Sequence, residues 1–198
     1  MKKKIIITGG LGYIGTELCR LYSGVSWHHK ILVIDNRFIS ERVNQIRNWN
    51  MEFIHGDILD KDLVDKYFSN ADVVHHLAGI TSVPRTKSES SKEIDEKIKL
   101  VAEEGTQNIL NTISNECKLI FPSTHVVYEG ISEVKKDIKE NENTQPVLSY
   151  SSSKAANEKQ IKDSRKNYVI LRLGSVYGYS NDTMRIDIMP NLFSKIAS

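Results

Sequence analysis

The chain has 198 residues, 39% of them hydrophobic, which is enough for one well-buried core. Charged residues make up 26%, yet the formal net charge is only +2 and no long basic block occurs, so nucleic-acid binding has no electrostatic footprint. The apolar stretches are far too short to span a bilayer, and the first residues run into a strand pattern without a signal-peptide layout, which sets the expectation of a cytoplasmic protein with no membrane partner.

Lys2-Lys3-Lys4 is a short solvated cluster, and 4–8 is the first predicted strand. Thr8-Gly9-Gly10-Leu11-Gly12-Tyr13-Ile14-Gly15 follows and opens a helical pattern over 12–23, which carries Cys19. A second strand at 31–35 closes on Asp35, with a helix over 40–49 after it. A third strand at 51–55 leads through Gly56-Asp57 to a helix over 60–68. The fourth strand, 73–77, passes through His75 and His76 into Ala78-Gly79, ahead of a long helix over 92–115. Cys117 comes next, then a fifth strand at 119–122 that ends against Ser123-Thr124. Residues 129–146 are a polar surface loop, 150–162 a helix, 169–173 a sixth strand and 188–197 the beginning of another helix. The two cysteines sit in apolar surroundings without metal-ligand spacing and are expected as reduced core residues, with no metal site.

Apolar strands alternating with helices predict an α/β protein whose parallel sheet is covered on both faces. Right-handed crossovers give a doubly wound sheet, ordered 3-2-1-4-5-6. Its ligand crevice lies where the order reverses, between the first and fourth strands, so the glycine loop should face Ala78-Gly79.

Glycines at 9, 12 and 15 allow a tight turn, a close approach of backbone to a pyrophosphate, and a helix N-terminus that favours negative charge. Asp35 lies 20 residues after Gly15. A carboxylate there accepts from a ribose 2′-hydroxyl and repels a 2′-phosphate, which favours NAD over NADP, with Arg37 a weak counterweight. Asp57 suits either a contact near the adenine or a Gly-Asp turn. His75 and His76 face opposite sides of a strand and are read as packed or hydrogen-bonded side chains. Tyr150-Ser151-Ser152-Ser153-Lys154 places a phenol and an ammonium on one helical face, one turn apart. The ammonium and a positive nicotinamide ring favour phenolate and lower the tyrosine pKa. Tyr150 can then take a proton from a substrate hydroxyl as hydride leaves the same carbon, or return it. Thr124 can hydrogen-bond that same oxygen, although Ser123 and Thr124 also suit simple strand-end capping.

These residues, with Asp35-Asn36, His76-Leu77-Ala78-Gly79, Gly105-Thr106, Val127-Tyr128, Leu171-Arg172 and Val176-Tyr177-Gly178, run from 8 to 178. In combination the chain resembles the extended short-chain dehydrogenases/reductases of the nucleotide-sugar epimerase/dehydratase type. The resemblance implies a Rossmann NAD-binding domain over 1–180. From 181 to 198 it implies only the start of a C-terminal lobe that grips a nucleotide sugar, so that lobe is largely absent from this chain. It implies a catalytic triad of Thr124, Tyr150 and Lys154, with Lys154 also holding the nicotinamide ribose. It implies NAD contacts from Gly9, Gly12, Tyr13, Ile14, Gly15, Asp35, Asn36, Asp57, Ile58, Leu77, Ala78, Gly79 and Ser123, besides Tyr150 and Lys154. It also implies a homodimer through the 92–115 and 150–162 helices.

Dehydrating members carry an Asp-Glu pair after the threonine. His125 and Val126 stand there instead, and valine cannot act as a base, so an epimerase or keto-reductase is favoured. Ala102-Glu103 replaces a usual Asn-Val, Ser175 an asparagine, Tyr179 a proline and Glu129 a glycine. Members also continue well beyond Met189-Pro190-Asn191, which fits either a truncated form or a short protein that binds substrate differently. The leading expectation is an NAD-dependent epimerase that transiently oxidises a sugar hydroxyl of a nucleotide sugar and returns the hydride. A keto-sugar reductase or dehydrogenase is the alternative, distinguished by net change of cofactor redox state. A non-catalytic dinucleotide-binding regulatory protein is the alternative of another class, and any turnover rules it out.

Overall fold

The computed structural model of this chain describes residues 1–81, 89–180, 185 and 188–197. Of the region expected to open a second lobe, 181–184, 186–187 and 198 lie outside these described residues. The strands are β1 Lys4–Thr8, β2 Lys30–Asp35, β3 Glu52–His55, β4 Val73–His76, β5 Lys118–Thr124 and β6 Asn167–Leu173. The helices are α1 Tyr13–Tyr22, α2 Ser40–Asn48, α3 Lys61–Phe68, α4 Lys92–Thr112, α5 Ser149–Asp163 and α6 Met189–Ala197. The strands pair in parallel in the order β3-β2-β1-β4-β5-β6, as predicted.

The apolar strands read as continuous because alternate side chains enter different cores. Ile5 and Ile7 of β1 pack with Ile31, Val33, Cys19, Val43 and Ile46, beneath α1 and α2. Ile6 packs on the other face with Leu32, Val74, Val64, Phe68 and Ile109, beneath α3 and α4. Cys19 and Cys117 are free, buried thiols, one in each core. Burial pushes their pKa values up to about 12 and about 11.

The sheet departs from expectation at its β6 edge. Leu171 is 42% exposed, so the described residues do not cover both faces there. β5 extends past the predicted 122 to Thr124, since β6 pairs with it through Ser123↔Arg172 and Thr124↔Leu173. On its other side β5 pairs with β4 only through Ile120, so Pro122 lies beyond that ladder, where its missing N–H costs nothing. α4 ends at Thr112 rather than 115, because Ile113 turns extended (φ −67°, ψ 147°) and buries in the core.

Candidate active site

A cleft of about 1130 Å³ opens at the C-terminal ends of β1, β4 and β5, and every residue proposed from sequence as catalytic or cofactor-binding lines it. Its floor is the turn between β1 and α1. Gly9 adopts φ +66°, and a Cβ there would lie 2.8 Å from the Ala78 nitrogen. A Cβ on Gly15 would lie 2.3 Å from the Gly9 carbonyl oxygen. Glycine is therefore required for the loop to touch both the β4 turn and its own helix. Gly12 caps α1 without any side-chain hydrogen bond, and the first turn holds no acidic residue. Free amides and the positive dipole end therefore face the cleft, a cradle that fits a dinucleotide pyrophosphate.

Asp35 is 5% exposed at the end of β2. Its carboxylate accepts from Leu11 N–H at 2.9 Å, Arg37 N–H at 3.0 Å and Arg37 Nε at 3.3 Å. It thus braces the glycine loop as well as lining the cleft. Asp57 accepts from Leu59 N–H at 3.0 Å and from Asn36 Nδ2 at 2.9 Å, so the turn anticipated at Gly56-Asp57 forms and is tied to the end of β2. Arg42 Nη1 donates to the Leu11 carbonyl at 2.7 Å.

The opposite wall is held by a buried imidazole. Ala78 N–H donates to Thr8 Oγ1 at 3.0 Å, and Thr8 Oγ1 lies 3.1 Å from His76 Nδ1. His76 Nε2 lies 3.0 Å from Thr106 Oγ1, which also accepts from Asn157 Nδ2 at 3.0 Å. Both ring nitrogens of His76 are thus engaged by threonine hydroxyls, each of which can donate or accept, so a neutral ring is satisfied on both sides. Burial pulls the His76 pKa down to about 3, and the Lys154 charge reinforces this. His75 points the other way to Tyr22 OH at 2.8 Å and falls to about 4 by burial.

The catalytic end is built by β5 and α5. Lys154 Nζ donates to the Pro122 carbonyl at 2.9 Å and lies 4.4 Å from the Phe121 ring centroid and 6.0 Å from that of Tyr150. Burial lowers the Lys154 pKa to about 8, against the opposing charge of Glu158. Thr124 Oγ1 accepts from Val126 N–H at 3.3 Å, capping the 3-10 turn His125–Tyr128, and this leaves its hydroxyl proton to donate into the cleft. The expected lowering of the Tyr150 pKa is not met: burial raises it, and the cation that opposes the rise is Arg185. The Lys154 ammonium is committed to Pro122 and Phe121 instead. Ser123 also differs from expectation, because its hydroxyl donates away from the cleft to Glu158 Oε1 at 2.6 Å. Tyr13 spends its phenol on the Gly178 carbonyl at 2.5 Å, so the cleft sees its backbone and ring.

Several residues escaped sequence reasoning. Glu129 Oε1 accepts from Val147 N–H and Leu148 N–H, each at 2.8 Å, and from Ser151 Oγ, so it caps the helix that carries Tyr150. Glu158 and Arg172 form a buried pair behind Lys154, with Nη2 to Oε2 at 2.5 Å. Arg185, Lys97 and Thr81 line the cleft beyond Tyr150. The Leu171-Arg172 motif was visible but its partner was not, since helix and strand periodicities do not pair residues across 14 positions. Asn191 of α6 is 4% exposed. It accepts from Gly178 N–H at 2.9 Å and donates to the Arg185 carbonyl at 2.8 Å, a role no local motif announces.

The geometry has counterparts among known proteins. The chain is 31% identical over 197 residues to a dTDP-D-glucose 4,6-dehydratase of Dictyostelium discoideum, covering 89% of this chain and 44% of that protein. It is 29% identical over 178 residues to a UDP-glucose 4-epimerase of Neisseria meningitidis serogroup C, covering 83% and 49%. Among solved structures, the UDP-glucuronic acid 4-epimerase of Bacillus cereus, in complex with UDP-glucuronic acid and NAD, superposes with a TM-score of 0.76 at 28% identity. That match covers 95% of this chain and 60% of the other. The chain thus spans about half the length of these sequence relatives. The NAD dependent epimerase/dehydratase family matches residues 5–198, and with that span added to the glycine loop and the Tyr150/Lys154 helix, the chain belongs to this family.

Proposed function

We propose that the chain is the cofactor-binding and catalytic part of an NAD-dependent epimerase acting on a nucleotide sugar. The observation that carries this reading is one cleft with a glycine-only phosphate cradle at one end and Thr124, Tyr150 and Lys154 at the other. Gly9, Gly12, Tyr13, Ile14 and Gly15 would hold the pyrophosphate through backbone amides. Asp35 and Asn36 would take the adenosine ribose, Asp57 and Ile58 the adenine, and Leu77, Ala78 and Gly79 would flank the passage toward Ser123. When bound, NAD supplies the hydride acceptor and donor.

Tyr150 takes the proton from the sugar hydroxyl and gives it back, and Thr124 donates a hydrogen bond to the same oxygen. Lys154 adds positive charge on the Tyr150 side of the cleft and would hold the nicotinamide ribose when the cofactor is bound. Burial holds the Tyr150 proton in place in the free cleft, so the positive charge that arrives with the oxidised cofactor is what favours its release. Epimerisation is favoured over dehydration because His125 and Val126 follow Thr124. Among the described residues lining the cleft, the carboxylates Asp35 and Asp57 lie at the glycine-loop end. Residues 1–180 form the dinucleotide domain, and 181–198 open the substrate-side region. α4 and α5, packed side by side, supply the homodimer face, and the two buried free thiols suit the cytoplasm.

The test is Tyr150→Phe beside the parent chain. Both should retain NAD through gel filtration, and only the parent should interconvert UDP-sugars. Epimerisation retained by Tyr150→Phe would remove Tyr150 from the chemistry, and a parent chain that binds no NAD would remove the whole reading.

A further inference from the structure

Behind the Tyr150–Lys154 face lies a charged cluster that dinucleotide binding does not use. Glu158 is 2% exposed. It follows Lys154 by one helical turn on the face of α5 that packs on β5 and β6. Its Oε1 accepts from Ser123 Oγ at 2.6 Å and Arg172 Nε at 2.9 Å. Its Oε2 accepts from Arg172 Nη2 at 2.5 Å and lies 3.5 Å from Lys162 Nζ. Arg172 also donates to the Tyr128 hydroxyl and to the Glu140 carbonyl, the latter at 3.0 Å. One carboxylate therefore gathers the end of β5, the 3-10 turn, the polar loop and β6 onto the helix that carries Tyr150.

Stability is a poor reason for such a pair. Desolvation consumes most of its attraction, and apolar side chains of similar volume often serve as well. Its position explains it better. We propose that Glu158 is a positioning residue: it supplies the buried negative charge that keeps Lys154 an ammonium, and it ties Ser123, next to Thr124, to the same helix. The proposal rests on the catalytic role given above to Lys154.

Charged and titratable groups stand on the elements packed around α5 and the cleft. His76 of β4 is held neutral, Arg172 of β6 and Lys162 of α5 are engaged with Glu158, Arg185 stands beside Tyr150, and Lys97 of α4 lines the same cleft. Burial takes Lys154 down to about 8, and Glu158 is the opposing charge that limits the fall. Loss of that carboxylate favours the neutral amine, so the midpoint moves further down. The same cluster fixes the polarity of Ser123. Its proton is spent on Glu158, so toward the cleft it can only accept a hydrogen bond.

The experiment follows Lys154 by NMR of the full chain carrying lysine labelled at Cε, without cofactor or substrate. The Lys154 signal is the one missing from Lys154→Met. In the parent the midpoint is expected at about 8, below the ordinary lysine value because the group is buried. In Glu158→Gln it falls by about one unit, and in Glu158→Asp, which restores the charge, it returns toward the parent value. A folded Glu158→Gln in which Lys154 titrates as in the parent overturns the proposal, because a merely structural carboxylate would change stability and leave this midpoint alone. Should Glu158→Gln fail to fold, the double variant Glu158→Met/Arg172→Met removes the pair together, a replacement that buried ion pairs commonly tolerate. Because the Arg172 cation is lost with the carboxylate there, the double variant is compared with Arg172→Met alone: a lower Lys154 midpoint in the double variant supports the proposal, and equal midpoints overturn it. Failure to bind NAD or turn over a nucleotide sugar refutes the proposed function and leaves this reading of Lys154 intact.

Discussion

Replacing Glu129 tests how the helix of Tyr150 is held. α5 begins at Ser149 behind Leu148, whose side chain offers no acceptor, so its first amides need a partner from elsewhere. Glu129 reaches them from the end of the 3-10 turn, with two backbone hydrogen bonds of 2.8 Å and one from Ser151. An N-cap side chain contributes about 0.5–2 kcal/mol, and a negative charge at a helix N-terminus adds about 0.3–1 kcal/mol. Because Glu129 is exposed, solvent screening keeps the total toward the lower part of that sum. Glu129→Ala should therefore cost about 1–2 kcal/mol at pH 7, and Glu129→Gln, which keeps an acceptor but no charge, roughly half of that. Burial pushes the Glu129 carboxyl up, but the Ser151, Leu148 and Val147 hydrogen bonds outweigh it and hold the pKa below the ordinary 4.5. A depressed folded value means that the charge stabilises fully above the unfolded pKa and ceases to do so as pH falls through the folded one. Urea unfolding of parent and Glu129→Gln should thus differ at pH 7 and converge once the pH has fallen through the depressed folded pKa of Glu129. Hydrogen exchange at the Val147 and Leu148 amides should quicken in both variants. Superimposed unfolding curves at pH 7, or a gap that persists undiminished in acid, would refute the capping argument.

Gly9→Ala should lose about 5- to 150-fold in NAD affinity by equilibrium dialysis, because φ +66° and the 2.8 Å approach to Ala78 force the loop away from β4, at a strain of about 1–3 kcal/mol; parental affinity would contradict the apposition. His75 and His76, with pKa values lowered to about 4 and about 3, stay neutral in the fold while the unfolded chain takes up protons first. Stability should therefore decline as pH drops from about 6.5 toward 4, by about 1.4 kcal/mol per unit for each histidine. Nitrogen-15 shifts of His76 should show a neutral ring at pH 5; an imidazolium there would contradict the burial that lowers its pKa to about 3.

What was legible in the sequence was local. Alternating periods and right-handed crossovers predict a doubly wound sheet, the dinucleotide-type glycine loop points to the 3-2-1-4-5-6 order, and the glycine loop, Asp35, Ala78-Gly79 and Tyr150-x-x-x-Lys154 reach one cleft because the switch point brings strand ends together. What was not legible depends on partners remote in the chain. Glu129 read as a substituted glycine until α5 turned its open end toward it. The Tyr150 pKa was misjudged in direction because a spacing of four places Lys154 on the right face without showing that Pro122 and Phe121 claim its ammonium. Ser123 was identified as part of the cleft, but its proton is spent on a carboxylate 35 residues away.

Two chains of buried polar groups join the walls of the cleft to the elements behind them. Thr8 and Ala78, at the glycine loop and the β4 turn, are linked through His76 to Thr106 of α4 and Asn157 of α5. Ser123 and Lys154 are linked through Glu158 to Arg172 of β6. Apolar packing would hold these elements together but would tolerate small slides between them, whereas a hydrogen bond loses most of its strength with a modest change of distance or angle. His76 must remain neutral and Glu158 must remain charged for the two chains of contacts to persist, and burial and pairing respectively enforce those states. The α4–α5 layer therefore sets the position of both ends of the cleft, so a perturbation of that layer should be felt at the glycine loop and at Tyr150 together.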